Sequence, residues 1–404
     1  MGVPSGQRRL AFGFLGFKAA RNLGFHVAVL QPFLLSVGVP IETVFLGLAV
    51  MAVTGVAMEV PTGAFADAFG RRTSLAAGTL VKCASYMLLF LDPTPLQAML
   101  GFVLMRTGEA FVSGADSALL YDALKGGDQG RAYQKLEGWA YIVELVVYGA
   151  AAAAGSLVAS RVDLGLPLLM TAVGTSLGIG FLLLLPRDMP ERRATGHARR
   201  PSLAAPLRAL RGDPMLRAAF VHFAAFAVLV NCGTALYQPL MMAQDVNVAW
   251  FGLAYAALVL IDAGGVALSG TARAQALPRR STLRAVHAAF LLFLAPCLLA
   301  GWTGGAMAIV LIQIGFAFHA LGDGLQHAPV RRWLNQAFEG PERATLISLA
   351  TMASSLVAGA INACNGFLLG QGWLWPTCMP LLAVLAASVV VGLPVRRPGA
   401  PSGG

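Results

Sequence analysis

Glu59 to Leu75 reads "EVPTGAFADAFGRRTSL", and it closes an apolar run with an acid, a proline, an Asp and two adjacent arginines. The run occupies residues 41–66 and a second begins at 73, so a short basic turn joins two apolar stretches. A stretch of about 20 apolar residues crosses a bilayer as a helix. The pattern is therefore that of two antiparallel spanning helices, and the charge inside the first, Glu59, is too costly to face lipid.

The whole chain repeats this pattern. Of 404 residues 57% are hydrophobic and 12% charged, about half the ~25% charge of an ordinary soluble protein. Mean hydropathy is +0.70. Twelve segments of spanning length follow, at 13–38, 41–66, 73–92, 95–123, 133–160, 165–186, 215–242, 249–272, 283–302, 305–332, 343–370 and 373–394. The predicted fold is an all-α polytopic membrane protein of twelve transmembrane helices.

Most of the 29 basic residues fall in alternate connections, among them Arg8, Arg9, Arg71, Arg72, Arg279, Arg280, Arg331, Arg332, Arg396 and Arg397. Positive charge stays cytoplasmic, which predicts both termini inside and a cell (inner) membrane location. The net charge of +10 is then a topology signal with some attraction to anionic lipid, and no nucleic-acid partner is expected. The polar start "MGVPSGQRRL" predicts no cleavable leader. The five cysteines stand singly without a C-x-x-C pair, so neither a disulfide framework nor a metal site is predicted.

Six segments precede "RDMPERRATGHARRPSLAAPLRALRGDP" and six follow it. The expected organisation is an N-terminal six-helix bundle at 1–186, a cytoplasmic basic linker at 187–214 and a C-terminal bundle at 215–404. The turns "GRRTSL" and "PRRSTL" (Pro278–Leu283) suggest that the halves repeat, a layout in which transporters place their site between repeats near the midplane.

In this setting "GAFADAFGRRTSL" resembles the signature G-x-x-x-D-x-x-G-[RK]-[RK] of the major facilitator superfamily, filled by Gly63, Asp67, Gly70, Arg71 and Arg72. "EVPTG", "SGADSALLYDALK" (Ser113–Lys125) and "RATLISL" (Arg343–Leu349) resemble its bacterial drug- and metabolite-efflux branch. The resemblance implies that Asp67 latches the cytoplasmic face while the transporter opens outward, with Asp122 joining the charge cluster. On physical grounds Gly63 permits close helix approach and Gly70 a tight turn. Two departures stand out. Gln275 replaces the second-half Asp, and helix five, "YGAAAAAGSLVAS", lacks the branch's Gly-Pro kink.

Ionisable residues inside spans mark functional paths by default. Glu59 shares a helix face with Gly63 and Asp67, and Pro61 permits a bend there. Arg21 and Asp116 lie in spans one and four, while Lys82 is near enough to the edge to snorkel. Arg106 can pair with Glu109 at i+3, or serve proton coupling as the family's helix-four arginine does, although its R-x-x-x-G frame is incomplete. Glu144 and Asp262 read as isolated cavity carboxylates, fit to carry a proton or face a cation. Acids outnumber bases in the spans, which favours cationic or neutral amphipathic cargo. In "FHALGDGLQHAPVRRW", His319, Asp323 and His327 recur every four residues and form one stripe. It suits a proton path or a packed polar face better than a metal, because ligands rising by ~6 Å cannot all reach one ion.

No H-E-x-x-H or Walker-type motif occurs, so neither an enzyme nor a cofactor is predicted. The expected function is a secondary transporter coupling proton flow to export of a small amphipathic drug or metabolite. Its partners are the small-molecule substrate, protons and the bilayer, and it acts as a monomer. An uptake symporter or uniporter is the alternative within transport; a membrane sensor or polytopic enzyme is the alternative outside it.

Overall fold

The structure, a computed structural model, describes residues 5–124, 129–186, 204–337 and 343–392. In chain order its helices are α1 (Ser5–Arg21), α2 (Leu30–Ser36), α3 (Ile41–Phe69), α4 (Arg71–Phe90), α5 (Pro95–Val112), α6 (Ala115–Ala123), α7 (Gln129–Arg161), α8 (Leu166–Leu182), α9 (Ala204–Gly212), α10 (Pro214–Met242), α11 (Val248–Ser269), α12 (Ala272–Ala276), α13 (Arg279–Ala300), α14 (Gly305–Ala337), α15 (Arg343–Gly370) and α16 (Cys378–Val391). Among the described residues no strand occurs. Every one of the twelve expected spans is helical.

Eight of these helices are long and apolar enough to cross a membrane. Shorter apolar helices, Leu166–Leu182 and Trp375–Val391, fill spans six and twelve. The other two spans are broken, which the apolar pattern did not show. Span one stops at Arg21 and resumes at Leu30. Span four breaks at Ser113–Gly114, where Gly114 has φ +78°, a left-handed conformation that a side chain disfavours.

Local chemistry fixes the ends. Thr94 accepts from the Gln97 amide and Gln97 reaches back to Thr94, a capping box with Pro95 in the first turn. Gly70, at φ +89°, ends α3 and starts α4 in a single residue, as the expected tight turn requires. The short helix α9 lies in the basic connection; residues 187–203 of the expected linker are outside the described residues.

Two compact units emerge. One comprises Met1–Gly196, Leu236–Leu260 and Gly359–Leu374; the other His197–Ala235, Ile261–Ala358 and Trp375–Gly404. In the first, Leu10, Phe14, Phe17, Leu75, Val112, Leu119 and Leu182 form one buried cluster. Phe33, Leu34, Val44, Tyr86, Leu89, Phe102 and Leu168 form another. In the second, α13 and α14 bury Phe290, Phe293, Cys297, Ile312 and Phe316. Inside a bilayer such packing stabilises through dispersion contacts, since lipid is as apolar as leucine.

Candidate transport site

The first unit carries a buried ion network. Lys18 and Arg21 share one face at the end of α1, where the last carbonyls favour cations. Asn22 caps that end, its side-chain amide donating to the Lys18 carbonyl at 2.9 Å. Lys18 Nζ lies 2.8 Å from Asp116 on α6 and 3.2 Å from Glu144 on α7. Arg21 pairs with Glu109 on α5 and lies 3.4 Å from Asp116. Lys82 on α4 reaches Glu109 at 2.9 Å. Three cations therefore meet three carboxylates, and Asp116 also accepts the Ser117 amide at 2.8 Å in the first turn of α6.

These contacts correct several expectations. Glu109 bonds Arg21 and Lys82, and no ion pair joins it to Arg106 among the described residues. Lys82 is only 8% exposed, so it does not snorkel but serves as a counter-ion. Glu144 is not isolated: Lys18 and the Asn22 amide, 3.2 Å away, hold it. Lys18, which sequence reasoning left without a role, is central. Its spacing of three from Arg21 within an apolar segment was the available signal.

The break in span one lies beside this network. Its backbone is held by partners from other helices. The His26 amide donates to Thr171 Oγ1 at 3.2 Å, and Gly155 on α7 lets the Phe25 carbonyl sit where any Cβ would clash. Gln238, near the end of α10, donates through Nε2 to the Val27 carbonyl at 2.9 Å and accepts the Gln31 amide at 3.0 Å. Ser156 similarly donates to the Ala249 carbonyl and accepts from the Gly252 amide, both at 3.1 Å.

At the turn after α3, Arg71 pairs with Asp122 and donates to the Ala118 carbonyl at 2.9 Å. Arg72 donates to the Leu185 carbonyl at 3.1 Å. Glu59, Gly63 and Asp67 fall on one exposed face of α3, the shared face the spacing predicted. Gly63, however, has no atom within 4 Å of a would-be Cβ, so the expected close approach is not made there.

In the second unit Asp262 on α11 and Asp323 on α14 are half-buried beside the contact of the two helices. The helices touch here: a Cβ on Gly324 would strike the Asp262 carbonyl, and one on Gly265 would lie 3.0 Å from Gly324 Cα. Gln326 donates to Asp323 at 3.0 Å. Among the described residues no cation pairs with either acid. His319 is buried among Phe290, Phe293 and Phe316, with Nε2 3.2 Å from the Val230 carbonyl. The side chain of His327 lies outside the described residues. No group of three potential metal ligands occurs among the described residues.

Long apolar helices enclosing buried charge define the class as a membrane transporter. The sequence matches the Major Facilitator Superfamily over residues 11–321, and the chain belongs to that family. The fold is similar to a crystal structure of a mutant of the nucleoside transporter NupG, with TM-score 0.74, 13% identity and coverage of 95% of this chain and 97% of that one. It also resembles the POT family transporter PepTSo (TM-score 0.69, 12% identity, 95% and 97% covered). A third likeness is to a bacterial homolog of the human lysosomal transporter Spinster, captured inward-facing and unoccupied (TM-score 0.63, 17% identity, 96% and 95% covered). No curated protein sequence matches the chain.

Proposed function

We propose that this chain is a proton-coupled exporter of small amphipathic compounds, working by alternating access in the inner membrane with both termini cytoplasmic. Six-helix bundles at 1–186 and 215–404, joined by the basic linker, are the moving parts of a monomer. The observation that carries the coupling is the Asp262–Asp323 pair. Two half-buried carboxyl groups meet at the α11–α14 contact without a described counter-ion, where protonation removes a costly charge, and Gln326 holds one of them in place. Glu144 is better read as part of the α1 network than as a free proton carrier. Asp67, Gly70, Arg71, Arg72 and Asp122 form the cytoplasmic gate, with Gly63 and Glu59 on the same face of α3.

Uptake by symport is the second reading, favoured by the proline-free α7. It uses the same acid pair. The test is a panel of compounds in proteoliposomes with an imposed pH gradient of either sign. Wild type moves its substrate against a concentration gradient. Asp323→Asn and Asp262→Asn retain exchange between equal pools and lose gradient-driven accumulation. Accumulation by both variants with unchanged gradient dependence would refute the assignment, and the active sign of the gradient fixes the direction.

A further inference from the structure

Arg106 is the membrane-depth cation that the first unit's network does not use. It lies on α5 one turn before Glu109, and Glu109 is already bonded to Arg21 and Lys82. Among the described residues the Arg106 guanidinium makes no hydrogen bond and no ion pair, although Glu109 lies within its electrostatic reach. Yet it is seated. Gly55 on α3 is buried, and any Cβ there would strike the guanidinium, with Nε, Nη2 and Cζ its three nearest atoms. The guanidinium thus lies directly against the Gly55 backbone. Arg106 is only partly buried.

An arginine at this depth is costly without a counter-charge, and the neighbouring charges cancel, three cations against three carboxylates. We propose that Arg106 is an anion subsite, and that the amphipathic solute carries a carboxylate, sulfonate or phosphate group that its guanidinium fork binds. This deepens the transport reading by naming the substrate class. It also reverses the cationic preference drawn from counting charges, because the acids of the first unit are already neutralised by Lys18, Arg21 and Lys82.

The test is made on the full chain in nanodiscs with no pH gradient, so proton coupling can fail or hold independently of it. Phenylglyoxal, which modifies accessible arginines, is applied and each site is read by peptide mass spectrometry. The probes are phenylbutyrate and naphthalenesulfonate, each beside an amine and an alcohol of matched skeleton. Arg106 is expected to react while Arg21, held by two carboxylates, stays protected. At least one anion should slow the Arg106 reaction severalfold while its amine and alcohol do not. Gly55→Val, whose side chain would strike the guanidinium, should weaken that anion about tenfold or more, as should Arg106→Gln, and neither should change the alcohol's binding. Failure of Arg106 to react, equal protection by amine and anion, or protection by no anion would overturn the proposal.

Discussion

Around α1 the first unit matches its buried acids with cations, whereas among the described residues the second leaves Asp262 and Asp323 without an ion pair. Around the end of α1, five helices contribute three cations and three carboxylates, with separations of 2.8, 2.9 and 3.2 Å among the contacts. Where α11 and α14 touch lie two half-buried carboxylates, Asp262 and Asp323, the second bonded to Gln326. A matched network resists change, since every member loses a partner when one leaves. An unmatched pair invites it, since a single proton alters its energy. The same residue types thus hold helices together in one region and are free to respond in the other.

The comparison breaks most visibly if a matched acid is removed. Asp116→Asn leaves Lys18 and Arg21 short of a carboxylate, and one-sided loss of a buried pair costs about 3–5 kcal/mol. The expected outcome is a large fall in thermal stability in detergent, partly recovered when Lys18→Met is added. An unchanged unfolding temperature would show that the network is not structural. Asp323→Asn should do the reverse, with stability held to within about 1 kcal/mol while proton-driven accumulation disappears. A large stability loss without a transport defect would move Asp323 into the first category.

Gln238→Ala removes two hydrogen bonds to the break in span one and should cost about 1–2 kcal/mol. A cysteine placed at Val29 should then label faster from outside. An unaltered labelling rate would mean that the carboxamide does not hold the break. The smallest effect is expected at the turn, where Arg71 and Asp122 are 30% and 44% exposed. Such pairs contribute about 0–1 kcal/mol, so Asp122→Asn should shift cytoplasmic cysteine accessibility by a few-fold at most. A shift as large as that of Asp67→Asn would make Asp122 an equal part of the gate.

What was legible in the sequence follows the range of the interaction. Spanning length is local, and α3, α10 and α15 begin within one residue of their expected starts. The Gly70 turn was legible too, because one residue's backbone freedom decides it. Partners were not. Glu109 has an inviting neighbour in Arg106 three residues away, yet its partners come from residues 88 and 27 positions distant in the chain. The same holds for His319: its four-residue spacing to Asp323 is real, but the phenylalanines packed around it come from α13 as well as α14. The break after Arg21 was hidden because residues 22–29 remain mostly apolar, and what sustains it is supplied by Thr171, Gly155 and Gln238.

That last residue stands in a particular place. Val27 and Gln31 are four apart, so the carbonyl of one and the amide of the other are the pair that a continuous α-helix would bond to each other. Gln238 has spliced its own amide into that rung, donating to the first and accepting from the second. Withdrawal of the glutamine therefore strands neither group, because the two ends of the rung can close on one another and span one can rewind through the gap. Opening and shutting at this point becomes an exchange of one amide for another, with a net cost near that of a single hydrogen bond, about 1 kcal/mol.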